Sequence, residues 1–313
     1  MKKPLLIFVL IAMIILTSCT GRKTLEETNA NAPVTVEDIR TTAAQTQKHT
    51  EGITCALTGR KILPPANFSA NDPENSRGLS TKRIEHSYGV AKNGLPHQIS
   101  VDNQKYFAST GYKAMCYDTN SKEKVLYLTF DCGWENGYTA KCLDVLKEKK
   151  VPAAFFCTLD HIKSTPDLIA RIINEGHIIG NHSAKHADFT EISRQKMADE
   201  LLECDNYLRE NFGYATSFFR FPEGAYNENA LELINSMGYT SVFWSCAYAD
   251  WDVNAAKGGN YAFEKVTSRL HPGAIILLHS VSPDNAEALG RIIDFARQNG
   301  YEFKALTDYK FKK

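Results

Sequence analysis

From residue 124 onward the sequence predicts an α/β domain with a parallel sheet, either a barrel or a doubly wound sheet. Two observations predict it. Short apolar runs alternate with amphipathic stretches of helical length, and the polar residues able to do chemistry stand at the carboxyl ends of those runs. In order, 125–130 reads as a strand, 138–149 as a helix and 153–158 as a strand. A helix follows at 166–175, with Pro166 at an early helical position and Gly176 just past its end. Further strands are expected at 177–181, 217–221, 240–244 and 274–279, with helices at 194–211, 228–237, 261–270 and 285–298.

Asp131 ends the first of these strands, His182 and His186 follow the third, Arg220 closes the fourth, Asp250 follows the fifth and His279 ends the sixth. In a parallel barrel the carboxyl ends of the strands share the face that carries active sites, so these residues should converge. A lone His or Asp at a strand end is ordinarily a cap or a core hydrogen-bonder; repetition on one face predicts a site. His182 and His186 stand four residues apart, which lets both imidazoles reach one metal from a single helical turn or tight loop, with zinc the expected occupant. Asp131 and His279 add the base and acid that hydrolysis of an amide requires.

The chain of 313 residues, 43% hydrophobic and 23% charged, can bury the core of one large catalytic domain plus an extra segment. Its 36 basic residues equal its 36 acidic ones, so no long-range field favours nucleic acid or an anionic membrane surface. At the amino end Lys2 and Lys3 precede an apolar run from Leu5 to Leu16 that is too short to span a bilayer comfortably, and a small-residue end follows it. Leu16-Thr17-Ser18-Cys19 resembles the bacterial lipobox. Residues 1–19 are therefore expected to be a lipoprotein-type signal, with Cys19 lipidated and the protein held on the outer face of the cytoplasmic membrane. Residues 20–54, rich in Thr, Ala, Asn and Gln, are expected to be a disordered tether. Residues 55–122 are expected to form an appended region of no clear periodicity, and 123–313 the catalytic domain. The cysteines beyond Cys19 are odd in number and predict no disulfide framework; Cys142, Cys157 and Cys246 read as small buried hydrophobes. A monomer is expected.

Over the last three-fifths of the chain the residues resemble the polysaccharide deacetylases with a NodB-homology domain. The resemblance rests on Thr129-Phe130-Asp131-Cys132-Gly133, the pair His182 and His186, Arg220-Phe221-Pro222-Glu223-Gly224, Asp250-Trp251 and Leu277-Leu278-His279, in that order. The run Gly133-Trp134-Glu135-Asn136-Gly137 and the segment 278–288 look most like the muramic acid de-N-acetylases, which prepare δ-lactam in spore cortex. The resemblance implies a distorted barrel of about seven strand and helix units. It implies that a metal on His182 and His186 polarises the acetyl carbonyl, that Asp131 takes a proton from water and that His279 protonates the departing amine. Arg220 would orient Asp131 and keep it ionised, Asp250 would align His279, and the backbone N–H near Glu223 would face the oxyanion. Trp251 and Leu277 would shape an apolar wall, with core packing an equal alternative for both.

Two positions depart from the pattern. Cys132 stands where most of the family has a second Asp as metal ligand and the muramic group an Asn, so a thiolate ligand and a thiol uncommitted to metal are both open. Glu223 stands where the muramic group carries an Arg able to pair with a lactyl carboxylate, which a Glu would repel. The expected function is metal-dependent de-N-acetylation of peptidoglycan, on N-acetylmuramic acid. N-acetylglucosamine of a wall glycan is the alternative substrate, and a non-catalytic glycan-binding relative the alternative class.

Overall fold

The computed structural model of the chain describes residues 52–86, 89–120 and 123–311, all within one compact unit. The expected signal with Cys19, and nearly all of the expected tether, lie outside the described residues. In chain order the elements are β1 (Ile84–Glu85), α1 (Gln98–Thr110), β2 (Ala114–Met115), β3 (Val125–Cys132), α2 (Thr139–Lys149), β4 (Ala153–Cys157), α3 (Leu159–Ser164) and α4 (Pro166–Asn174). Then come β5 (Ile178–Asn181), α5 (Arg194–Phe212), β6 (Phe218–Phe219), β7 (Ala225–Tyr226), α6 (Glu228–Ser236), β8 (Thr240–Val242), α7 (Gly259–Thr267), β9 (Ala274–His279), α8 (Pro283–Gln298) and β10 (Glu302–Phe303).

All eight residues of β3 are buried, as a near-continuous apolar run in a parallel sheet covered on both faces should be. β3 pairs in parallel with β4 on one edge and with β9 on the other. From β4 the sheet runs through β5, β6 and β8 to β2, every pair parallel. The sheet curls until its ends meet. Ser245 and Cys246 donate to the Ile275 carbonyl and Leu277 donates to the Cys246 carbonyl, so the chain just past β8 closes against β9. Below that seam β2 pairs with β8, and Asp118 donates to Gly273 beside β9 at 2.8 Å. The result is the distorted barrel, and β2, from the region before residue 123, is one of its staves.

Alternation along β3 separates two cores. Tyr127 joins Met115, Phe156, Trp244, Ile275 and Leu277 inside the curl. Leu126, Leu128, Phe130 and Cys132 face outward, packed with Phe155, Leu143, Ile292 and other residues of the flanking helices. Each such buried Leu or Phe contributes about 1.5–3 kcal/mol. The helices start where side chains can cap them. Ser193 accepts from Lys196 N, and Ser282 accepts from Asn285 N with Pro283 at the first helical position, so α8 begins two residues before the sequence pattern places it. The strands expected at 217–221 and 240–244 are shorter, at Phe218–Phe219 and Thr240–Val242. In the first case Arg220-Phe221-Pro222 turns out of the ladder, where Pro has no N–H to give. The seven described cysteines are all free and buried.

Candidate active site

The carboxyl ends of the strands open into a cleft of about 630 Å³. Asp131, His182, His186 and His279 from the strand-end pattern line it, together with Glu223, Trp251 and Leu277, which the resemblance named. Arg220 and Asp250 are buried just behind. Cys132 is the exception: one residue beyond Asp131 on an extended strand, it faces the opposite side of the sheet, fully buried, with Sγ 3.2 Å from Ser280 Oγ. It does not line the cleft with the two imidazoles, and this corrects its inclusion in the metal set.

Arg220, wholly buried, holds Asp131. Nη1 donates to Asp131 Oδ1 at 2.6 Å, Nη2 donates to Thr129 Oγ1 at 2.9 Å, and Nε donates to the Val242 carbonyl at 2.9 Å. The guanidinium also lies 4.1 Å over the Phe156 ring. Burial pushes the Asp131 pKa upward, but the Arg220 charge, helped by His182 and His279, overrides it and holds the carboxyl below its ordinary value. Asp131 is thus a fixed, ionised base.

On the adjacent strand β9, in register with Asp131, His279 Nδ1 lies 2.7 Å from Asp250 Oδ1, while the His279 backbone N–H donates to Asp250 Oδ2 at 2.8 Å. Asn285 Nδ2 donates to the same Oδ2 and to the His279 carbonyl, and Tyr248 donates to Asn285 Oδ1 at 2.6 Å. Burial pulls the His279 pKa down, but Asp250, by charge and hydrogen bond, and Asp131 more distantly, raise it to about 9. The ring is a proton carrier at neutral pH. Trp251, half exposed, stands edge-on to it at 6.0 Å.

His182 Nδ1 donates to the Arg220 carbonyl at 2.8 Å, which leaves Nε2 with its lone pair 3.7 Å from Asp131 Oδ2. Burial, against the pull of Asp131, lowers its pKa to about 4, so the ring is neutral, as a metal ligand must be. His186 stacks edge-on to it at 4.9 Å. The two rings meet from a tight loop, not a helix: Ser183 and His186 both have positive φ, at 66° and 54°. A buried neutral imidazole with its tautomer fixed by a carbonyl, a second imidazole beside it and a carboxylate close by fit a divalent cation.

Glu223 also has positive φ, 59°, in the turn Pro222–Gly224 at the rim. Its carboxylate lies 3.5 Å from Arg83 Nη2, and Arg83 in turn pairs with Asp188 and Glu85. The same turn is locked from below by the region before residue 123, where His86 N donates to the Gly224 carbonyl at 3.0 Å and His86 Nε2 meets the Trp244 carbonyl. Arg83 and Tyr248 were not singled out by the sequence, and Thr129 and Asn285 entered only within the runs that carry the resemblance, with no role of their own. Asn285 looks like an ordinary first-turn residue of α8, and Arg83 lies in a stretch without periodicity, so neither carries a local signal.

A family model described as polysaccharide deacetylase matches residues 118–242. The peptidoglycan-N-acetylmuramic acid deacetylase PdaA of Bacillus subtilis is 46% identical over 198 residues, 63% of this chain and 75% of that protein. A peptidoglycan-N-acetylglucosamine deacetylase of Bacillus cereus is 32% identical over 57% of this chain and 66% of its own length. Among solved structures, that of Bacillus subtilis PdaA, described as a family 4 carbohydrate esterase, superposes with a TM-score of 0.70 at 40% identity, covering 74% of this chain and 98% of that one.

Proposed function

Since the chain belongs to the polysaccharide deacetylase family and is a hydrolase of amide bonds, we propose that it removes N-acetyl groups from peptidoglycan, with N-acetylmuramic acid as the sugar attacked. The observation that carries the reading is the pairing of Arg220 with Asp131 and of Asp250 with His279, on neighbouring strand ends of one cleft that also holds two imidazoles. His182 and His186 would hold the metal, zinc by their chemistry. When bound, it supplies Lewis-acid polarisation of the acetyl carbonyl.

The remaining work falls to the chain. Asp131 takes a proton from water as the oxygen adds to the carbonyl carbon. His279 gives its proton to the nitrogen as the carbon–nitrogen bond breaks, so acetate and a free amine leave. Arg220 keeps Asp131 ionised and in place, and Asp250 with Asn285 sets the His279 ring. Leu277, in the interior core, and Trp251 at the edge give an apolar wall for the methyl group and the sugar face. The turn at Glu223 supplies the backbone N–H for the oxyanion. A pure glycan binder has no use for a complete acid and base pair, which opposes that reading.

The muramic assignment draws on the similarity to PdaA and on Arg83, whose charge offsets Glu223 and reduces its repulsion of a lactyl carboxylate. N-acetylglucosamine is the second reading, favoured by the three carboxylates, Glu85, Asp188 and Glu223, grouped around that single Arg. The protein would act outside the cell, lipid-anchored through Cys19, as a monomer, within spore-cortex synthesis. Mass analysis of sugars after treating glycan strands, with and without stem peptides, separates the substrates. Loss of acetyl from muramic residues supports the first reading, and loss only from glucosamine replaces it with the second.

A further inference from the structure

We propose that Cys132, Cys157 and His161 form a buried three-ligand binding site for a thiophilic divalent cation such as zinc, separate from the imidazole pair of the cleft. Cys132 and Cys157 are register partners on the adjacent parallel strands β3 and β4, so their side chains emerge side by side on the outer face of the sheet. α3 starts two residues past Cys157 and carries His161 over them. One potential ligand atom from each residue lies within 4.8 Å of the other two, and all three side chains are wholly buried. In a tetrahedral zinc site with bonds of about 2.3 Å to sulfur and about 2.0 Å to nitrogen, ligand atoms sit roughly 3.5–3.8 Å apart. A small contraction, within reach of side-chain torsions, closes the set.

His161 is the observation that separates this cluster from ordinary packing of small cysteines. It is wholly buried, yet neither ring nitrogen makes a well-formed hydrogen bond to another side chain or carbonyl. One of them approaches the Trp134 backbone, the kind of carbonyl partner that fixes the tautomer of a metal-bound imidazole and leaves the other nitrogen free to ligate. Charge also balances: a dication with two thiolates and a neutral imidazole is neutral, so no uncompensated charge enters the core. Binding releases both thiol protons, and burial of Cys157, which pushes its pKa up, makes that uptake favour higher pH. The ion would clamp β3 to β4 one residue past Asp131, and Ser280, next to His279, already touches Cys132.

The test uses the full chain, purified under reduction, and cobalt(II) as the probe. The expected result is a near-ultraviolet thiolate-to-cobalt charge-transfer band that persists in His182→Ala and disappears in Cys157→Ser, with bound zinc lower by one ion per chain in the latter. The zinc-induced rise in Tm should likewise be smaller in His161→Asn than in the unmutated chain, the remainder coming from the cleft site. If Cys157→Ser fails to fold, zinc protection of Cys132 and Cys157 from alkylation in the unmutated chain gives the same answer. A band that is absent, or that survives Cys157→Ser, overturns the proposal. If that surviving band falls in His182→Ala, Cys132 serves the cleft metal instead. A chain that binds no cobalt through sulfur but yields a Cys132–Cys157 disulfide has a redox pair there rather than a metal site.

Discussion

At Asp131 two opposing effects meet: burial favours the neutral acid, and the Arg220 guanidinium at 2.6 Å favours the carboxylate and wins. Asp131→Asn keeps the shape and removes the base, so turnover should drop by about 10²–10⁴-fold while zinc remains bound, whereas His182→Ala should lose the zinc; metal analysis beside acetate release checks both. His279 works in the opposite sense, its pKa raised from 6.5 to about 9. In the proposed mechanism the protonated ring is the active acid, so kcat/KM should fall as pH rises through about 9. Removing the Asp250 charge that raises it, in Asp250→Asn, should move that alkaline limb to lower pH; an unmoved limb would mean that another group sets it. The stabilising effect of the pair follows the same sign, complete below about pH 6.5 and lost as pH passes about 9. Arg83→Ala should raise KM for muramic-containing strands more than for glucosamine oligomers, read from parallel kinetics on the two. The strand-end residues were legible because a parallel fold sends them to one face. Arg83 and Tyr248 were not, and the role of Asn285 was not, because what places them is tertiary contact with no local pattern. Cys132 stayed open between ligand and uncommitted thiol for a related reason: only the sheet shows that its neighbour faces the cleft and that Cys132 packs on the other face.

Among the elements, the loop holding the imidazoles and the turn at Pro222–Gly224 carry the unusual backbone, at Ser183, His186 and Glu223. Non-glycine residues in this region cost about 1–3 kcal/mol each and persist where surrounding contacts enforce them. At Gly224, φ 71°, a Cβ would come within 2.7 Å of the Trp244 ring and 2.8 Å of the His86 carbonyl. Gly224→Ala should therefore destabilise the fold by about 1–3 kcal/mol or more, read as a lower urea midpoint, and should also disturb the oxyanion turn. The long strands β3 and β9 and helices α2, α5 and α8 were readable from period and caps, since their burial follows sequence spacing. β2 and β10, each of two residues, are too short for a period, and α1 has too few apolar positions to declare a face.

At the scale of the whole molecule, the barrel is finished by a segment the sequence left opaque. β2 extends the sheet beyond β8, α1 stacks Phe107 on Phe243 at 5.1 Å, and His86 ties the floor of the cleft to that same region. A chain cut to begin after residue 120 should expose the β8 edge and this aromatic cluster. It should then aggregate or lose cooperative unfolding, seen by size exclusion and thermal melting; a soluble, cooperatively melting fragment would show the segment to be dispensable. Direct pairing of β3 with β9 sets Asp131 and His279 side by side at one cleft, and the proposed chemistry depends on that convergence. Acetate release from peptidoglycan strands, by zinc-loaded and metal-free wild type beside zinc-loaded Asp131→Asn, tests the claim most directly. The account expects release from the zinc-loaded wild type alone. Equal release from Asp131→Asn, or none from the zinc-loaded wild type, would contradict it.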